Sequence, residues 1–369
     1  MRICIIADQI YKSGGIERVL SHRINYLINK GYEVHLITNA NNKMEPYFDY
    51  NKKLFHHDLN LGFDRKKSLF SKRNLMLALR YFFLLKSIIN KIDADYIVVS
   101  NYFYEYYFLP FIVRTEKLIK EYHSSLTQEK SKDSKAYRMK NYFSKFYFLH
   151  VFLSKEESIL SQKVNTVVIP NPINSITDVP KDLKVRPKKI IAAGRLVELK
   201  GFERLIKIWS NIANKYPDWI LEIYGDGDDI YKKKLNKLVD ECDLKNQVFI
   251  YESTNNIIEK MMESRVYAMT SYTECFPMVL LEAMQTKTPI VAFDCPTGPR
   301  NMIENDKTGI IVEDGDLNEF SNQLVRLIEN VEYSQQLANN GYQEVKKYNI
   351  NTVMPKWEKI LKEYNSVGY

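Results

Sequence analysis

The sequence predicts an α/β protein built from two doubly wound domains, and three observations carry that reading. Short aliphatic and β-branched runs recur along the chain, and segments of helical period follow them. The order strand, glycine loop, helix occurs near the start and begins afresh near residue 189. Between the two halves lie VVIPNPI (Val167–Ile173), whose two prolines suit a rigid crossing, and SITDVPKDLKVRPKK (Ser175–Lys189), polar and proline-bearing, which reads as a linker. A chain of 369 residues is also too long for one ordinary core. The expected domains are 1–174, with the C-terminal helix of 353–369 packing back on it, and 187–352.

RICIIADQI (Arg2–Ile10) reads as a buried strand. Gly14 and Gly15 then open a helix in which Val19, Leu20, Ile24, Leu27 and Ile28 keep helical spacing, Gly31 ends it, and YEVHLIT is the second strand. The glycine pair lies at the carboxyl end of a strand, the edge where open α/β sheets bind ligands. It serves either as a tight turn or as a ligand-facing loop, and it is not the GxGxxG dinucleotide fingerprint. Residues 61–91 carry Arg65, Lys66, Lys67, Lys72, Arg73, Arg80, Lys86 and Lys91 against one acid, Asp64, with Phe70, Leu75, Leu77, Phe82, Phe83 and Leu84 interleaved. Two readings stay open, a basic amphipathic surface for an anionic membrane and a core-packed helix with a solvated face. Residues 130–147 repeat the basic-aromatic character. DYIVVSN (Asp95–Asn101) is a further strand, and KLIKEYHSS (Lys117–Ser125) puts His123 at a strand tip, as a structural residue or a ligand contact. HVFLSKEES (His150–Ser158) runs from strand to helix, with Ser154 and Glu157 spaced as a capping box.

The second half repeats the plan. KIIAAGRLVELKGFERLIKIW (Lys189–Trp209) is strand, glycine loop, helix, and it sets Gly194, Arg195, Lys200 and Gly201 at the junction. A planar guanidinium and a mobile ammonium there suit a diphosphate. WILEIYGDGDD (Trp219–Asp229) is a strand and a turn, followed by a charged helix and the strand QVFIYES (Gln247–Ser253). The organising stretch is Tyr267–Ile311. Val266–Met269 reads as a strand, Thr270–Phe276 as a loop, Pro277 as the first helical residue, and PIVAF (Pro289–Phe293) as the next strand. Met278, Leu281, Ala283 and Met284 form an inward stripe. The first turn of that helix offers free N–H groups and a positive dipole end to a phosphate. Glu282 lies about five residues in, roughly 7 Å along the axis, where a carboxylate can accept two ribose hydroxyls. Glu274 precedes the helix. NEFSNQLVRLIEN (Asn318–Asn330) and WEKILKEY (Trp357–Tyr364) are further helices.

Composition narrows the field. Hydrophobic content of 45% and charged content of 27% are globular values. Cys4, Cys242, Cys275 and Cys295 lack CxxC spacing, which points away from metal or disulfide use and towards a reducing compartment. No signal peptide is expected, since the apolar run after Arg2 is only ICIIA. LMLALRYFFLLKSII holds Arg80 and Lys86, and it is shorter than the ~20 apolar residues of a spanning helix. The net charge of +8 with 26 tyrosines suits anionic lipid, phosphorylated ligands or nucleic acid. Nucleic acid is disfavoured because the cations interleave with core-type residues and no reading motif is present.

In order, GGIERVL (Gly14–Leu20), NPI (Asn171–Ile173), GRLVELKGFERLI (Gly194–Ile206), YGDGDD (Tyr224–Asp229) and the E-x7-E motif of Glu274–Glu282 resemble a GT-B glycosyltransferase of the large retaining family 4 over nearly the whole chain. DCPTGPR (Asp294–Arg300) and ENDKTGIIV (Glu304–Val312) resemble bacterial members that use UDP-hexoses or UDP-N-acetylhexosamines. The resemblance implies two Rossmann-like domains facing a central cleft, and a UDP-sugar donor with no cofactor or metal. It gives Arg195 and Lys200 the donor diphosphate, Glu282 the ribose, and Glu274 the sugar hydroxyls. Backbone N–H groups of Phe276, Met278, Val279 and Leu280 would meet sugar and phosphate, with Cys275 and Pro277 in the same donor-binding stretch, and Tyr251 and Glu252 would sit by the uracil. Gly15 and His123 would line the acceptor side, with His123, Arg195, Lys200 and Glu274 as the catalytic set. Cys275 stands where the family often has glycine, and Pro277 replaces another small residue, so a stiffer loop is expected. YGDGDD reads as a strand-end turn rather than a metal site.

The expected activity is transfer of one sugar to a lipid-linked saccharide for capsule, O-antigen or exopolysaccharide. It would take place in the cytoplasm, at the inner face of the plasma membrane. A sugar-nucleotide epimerase or hydrolase on the same fold is the enzymatic alternative, and a basic nucleic-acid-binding protein the non-enzymatic one. A glycosidase would need two carboxyls flanking the scissile bond, and cations beside Glu274 and Glu282 argue for a phosphate there instead.

Overall fold

The computed structural model describes residues 1–41, 43–64, 67, 71–127, 135–178 and 180–363. Contacts divide the chain into two units, Met1–Pro172 together with Val353–Tyr369, and Ile173–Thr352. Each is organised on one parallel sheet.

In the first unit the strands are β1 (Arg2–Ala7), β2 (Glu33–Thr38), β3 (Phe55–Asp58), β4 (Tyr96–Val99), β5 (Leu118–Tyr122), β6 (Leu149–Phe152) and β7 (Thr166–Val168). Their order across the sheet is β3-β2-β1-β4-β5-β6-β7, and every pair is parallel. Ile3, Ile5 and Ile6 of β1 are fully buried, as a central strand covered on both faces requires. The helices are α1 (Gly15–Asn29), α2 (Lys72–Ile92), α3 (Tyr104–Phe108), α4 (Lys135–Ser144) and α5 (Lys155–Ser161). β1 ends at Ala7, three residues before the sequence suggests, because the chain turns out of the sheet there: Ile10 N–H donates to Asn41 Oδ1 at 3.0 Å. Ser154 caps α5 by accepting from Glu157 N–H, as expected, and Glu157 Oε2 also accepts from Leu126 N–H at 3.0 Å. β3, FHHD, escapes a hydrophobic-period reading because it is a polar edge strand.

In the second unit the strands are β8 (Lys189–Ala193), β9 (Ile220–Tyr224), β10 (Val248–Tyr251), β11 (Val266–Met269), β12 (Ile290–Phe293) and β13 (Ile310–Val312), in the order β10-β9-β8-β11-β12-β13. They alternate with α6 (Phe202–Ser210), α7 (Asp229–Glu241), α8 (Ile257–Met262), α9 (Met278–Gln285), α10 (Leu317–Glu329) and α11 (Val331–Glu344); α12 (Ile350–Glu363) follows, most of it in the segment grouped with the first unit. Ile190, Leu205, Trp209, Leu221, Ile223, Val266, Phe293 and Phe320 form its core.

The stretch expected as a linker is folded where Arg186 lies. That side chain is buried and donates to Ser264 O (3.0 Å), Thr286 O (2.8 Å) and Thr288 Oγ1 (3.1 Å). Burial lowers its pKa to about 10, still charged at neutral pH. Three bonds to the buried residues Ser264, Thr286 and Thr288 tie Arg186 to the rest of the second unit, and a fourth to Lys181 O holds its own segment around it, since a buried guanidinium left without acceptors would be costly.

Candidate active site

In the second unit the strand-end loops that the sequence singles out are stitched together through backbone. After β8, Gly194 N–H donates to Tyr224 O (3.0 Å) and Leu196 N–H to Asp226 O (2.7 Å). A Cβ on Gly225 would sit 1.8 Å from Gly194 O, and one on Gly227 2.1 Å from Leu196 O. YGDGDD is thus a turn packed against the cationic loop, and Asp228 caps α7. Gly201 follows a short 3-10 turn over Glu198–Lys200 with φ +61°, and its Cβ would lie 2.2 Å from Thr270 O. Only glycine fits such a left-handed position under another backbone. Thr270 Oγ1 donates back to Gly201 O at 2.9 Å.

Lys200 Nζ lies 2.5 Å from Glu274 Oε1, with the two side chains 18% and 11% exposed. Ser271 Oγ donates to the same oxygen at 2.7 Å. The Glu274 main chain is clamped by the loop after β12: its N–H donates to Pro296 O (2.9 Å), and its carbonyl accepts from Thr297 N–H (2.7 Å) and Gly298 N–H (2.8 Å). A Cβ on Gly298 would come 2.5 Å from Pro277 Cδ and 3.1 Å from Glu274 Cβ, so this glycine admits the close approach. Arg300 closes the loop through Asp294 Oδ1 at 2.8 Å. Arg195 is exposed and has no ion pair among the described residues.

Pro277 is the residue before α9 rather than its first residue, because its ψ of 103° is extended. The expected phosphate seat would therefore begin one residue later, with the Met278 and Val279 N–H groups lacking intrahelical acceptors. Leu280 N–H is taken by Pro277 O at 3.0 Å. Met278, Leu281, Ala283 and Met284 are buried, and so are Leu280, Glu282 and Gln285, so α9 is covered nearly all round. Glu282 is 3% exposed. Cys275 and Phe276 are buried too, with Phe276 edge-on to Tyr348 at 5.7 Å. Tyr267 was not among the expected site residues, yet it joins the parts. It is fully buried, its hydroxyl donates to Ala193 O at 3.3 Å, and burial, then Glu274 and Glu282, push its phenol well up. Ser271 was missed as well, since a loop serine next to a tyrosine and three residues from a glutamate carries no spacing signal.

Tyr251 is 41% exposed and stacks on Tyr224 at 5.0 Å. Glu252 is exposed, with Lys232 Nζ 3.5 Å away, and Ser253 is bound by Asp226 through its N–H (2.9 Å) and its hydroxyl. A flat ring at the edge of the turn offers a stacking surface to a base.

Gly15 and His123 belong to the first unit. Gly14 and Gly15 form the uncapped start of α1, and Gly15 is exposed. The Glu17 carboxylate is folded under Gly14 and takes a hydrogen bond from Gln9. The His123 ring is buried, with Nε2 3.5 Å from Glu121 Oε2 and Nδ1 without a hydrogen-bond partner. Glu121 is paired with Arg23 and accepts from Ser100 Oγ at 2.9 Å. Burial opposes its charge, but Arg23 and His123 outweigh burial and hold the carboxyl well below the usual range.

The model of the glycosyl transferases group 1 matches residues 176–344. An uncharacterized glycosyltransferase of Haemophilus influenzae is 30% identical over 95% of this chain and 97% of its own length. This chain is a group 1 glycosyl transferase. The amylovoran biosynthesis glycosyltransferase AmsD of Erwinia amylovora is 27% identical over 98% of this group 1 chain and 99% of its own. The structure of Anabaena Alr3699/HepE, in complex with UDP and glucose, superposes with a TM-score of 0.76 at 19% identity, covering 98% of this chain and all of the other. The two parallel-sheet, Rossmann-like units have the GT-B fold.

Proposed function

We propose that this group 1 glycosyl transferase is a retaining, family 4 enzyme. It would move a hexose or N-acetylhexosamine from a UDP-sugar to a lipid-linked saccharide in bacterial surface polysaccharide synthesis, as capsule, O-antigen or exopolysaccharide. The observation that carries this is the meeting of Lys200 with Glu274 beside the N-terminus of α9, with Arg195 free on the same loop. Two cations and a helix end are a seat for a diphosphate, and a glutamate at that seat is a partner for sugar hydroxyls. The UDP and glucose in the Anabaena relative and the polysaccharide role in AmsD's name favour the same donor and pathway class.

The chemistry asks for leaving-group stabilisation more than for a nucleophile. As the sugar–phosphate bond breaks, Arg195 and Lys200 neutralise the departing UDP, and the α9 N–H groups add fixed dipoles. The acceptor hydroxyl attacks the same face of the oxocarbenium-like sugar, so configuration is retained. Glu282 holds the ribose, and Tyr251 the base. No metal is needed in this reading, since the two side chains supply the positive charge. Thermal shift or calorimetry against UDP-, GDP- and ADP-sugars tests the donor: selective stabilisation by UDP-sugars is expected, and equal response to all three nucleotides contradicts it.

The acceptor's lipid places the enzyme at the inner face of the plasma membrane, and α2 supplies a fitting surface. No helix among the described residues is long and apolar enough to cross a membrane. Tyr81, Leu85 and Ile89 of α2 pack inward, whereas Leu75, Met76, Leu79 and Phe83 are 45%, 76%, 68% and 66% exposed. The helix bears Lys72, Arg73, Arg80, Lys86 and Lys91 and no acid. Each cation near an anionic surface contributes about 1 kcal/mol. On α4, Tyr142 is exposed with Lys145 over its ring at 3.8 Å. Of the residues expected on this surface, Arg65, Lys66 and Phe70 lie outside the described residues, and Leu77, Phe82 and Leu84 are half-buried. Sedimentation with phosphatidylglycerol vesicles at low salt is expected to carry the wild type down and to leave L79E/F83E in solution. Wild-type protein that stays in solution contradicts this part.

A further inference from the structure

Lys200 is not waiting for a ligand. Its ammonium is already matched, at 2.5 Å, by the carboxylate assigned to the donor sugar. That carboxylate has little freedom to leave. Its main chain is held by three backbone bonds to residues 296–298, and its Oε1 accepts from the buried Ser271 hydroxyl. Lys200 is held from the other side. It ends the 3-10 turn capped by Gly201, and its stem runs against Gly194, whose Cβ would lie 3.4 Å from Lys200 Cδ and Cε.

A diphosphate that takes this ammonium must therefore strip it from Glu274. What happens next depends on what the phosphate carries. A nucleotide with a sugar returns hydroxyl donors to the stranded carboxylate. A nucleotide without one leaves a mostly buried carboxylate with Ser271 alone, close to new negative charge, and both effects disfavour the complex. We infer that Glu274 is an internal competitor of the diphosphate for Lys200, so that the site favours the nucleoside diphosphate sugar over the nucleoside diphosphate left after transfer. Once the sugar has gone, Glu274 retakes Lys200 and hastens release of the product. Arg195, exposed and without an ion pair, lies outside this exchange and holds the phosphate in both states.

The inference rests on the reading that Lys200 meets the donor diphosphate, and the test separates the two. Binding of UDP alone is measured by calorimetry for the wild type, E274Q, E274A, K200M and the double variant K200M/E274Q, with thermal unfolding as the check on folding. Removing the competing charge is expected to tighten UDP on the order of tenfold, in the range of ordinary coupling between sites, while transfer from the UDP-sugar falls. In the K200M background the same E274Q change is expected to leave UDP affinity unmoved. UDP affinity that is unchanged or weaker in both folded Glu274 variants overturns the inference. K200M that binds UDP as the wild type does would overturn the diphosphate assignment itself.

Discussion

Arg195 and Lys200 share one loop, yet one is free in solvent and the other is bound to Glu274, so their contributions should differ in kind. K200A removes the cation proposed to face the leaving group, and kcat/KM is expected to fall by about 10²–10³, the scale of one lost charge-stabilising group. E282A should raise the KM for donor, with the thermal midpoint of the free protein checked alongside. Another residue sets a pH response outside the donor site. Glu105 is fully buried, and Tyr81 Oη lies 2.8 Å from its Oε2 and 2.6 Å from Asn39 Oδ1, while Asn39 Nδ2 lies 3.0 Å from Oε2. One phenol proton cannot serve both acceptors. A protonated carboxyl that donates to Tyr81 lets Tyr81 donate to Asn39 and closes the ring. Burial raises the Glu105 pKa from 4.5 to about 7, and the Asp8 charge adds to it. The folded state thus holds the proton more tightly than the unfolded chain. The stabilisation is full below about pH 4.5 and is lost as pH rises to 7, an effect of about 3 kcal/mol. Urea titrations over that interval should show the slope, and E105Q should flatten it. The sequence named the cations and both glutamates because loop and helix-start positions follow from local spacing. It did not name Arg23–Glu121 or the Glu105 ring, whose partners come from strands and helices far apart in the chain.

At the scale of elements, the second unit depends on glycines that let loops touch. Gly201 is the sharpest case, with positive φ and no room under Thr270 O. G201A is expected to cost about 2 kcal/mol or more, read from the urea midpoint, and to weaken UDP-sugar binding through the displaced 270–274 loop. The strand–loop–helix order of both units was legible because parallel strands buried on two faces are plain aliphatic runs. Boundaries were less so: Pro277 stands just outside its helix, and residues 181–186 are fixed by Arg186 rather than left as a tether. Helix α2 was legible as basic and aromatic but not as to which side faces out, since the apolar residues nearly encircle it. Leu75 and Phe83 are among the apolar residues that the sequence reading interleaves with the cations, whereas Met76 and Leu79, exposed as well, are not.

At the scale of the molecule, two parallel sheets set strand-end loops at carboxyl edges, where the residues proposed for the site lie. The first unit presents Gly15 and His123, and the second presents the cations, glutamates and aromatic stack. With Arg195 and Lys200 supplying the positive charge, turnover should persist in excess EDTA, followed as UDP release; loss of turnover restored by a divalent ion would assign that charge to a metal instead. The most direct test of the proposed activity is the mass of a lipid-linked saccharide acceptor after incubation with the enzyme and each UDP-sugar. One UDP-sugar is expected to add a single sugar residue to the acceptor, with stoichiometric UDP. Release of UDP or isomerised donor with no gain in acceptor mass would contradict it and make the protein a sugar-nucleotide hydrolase or epimerase.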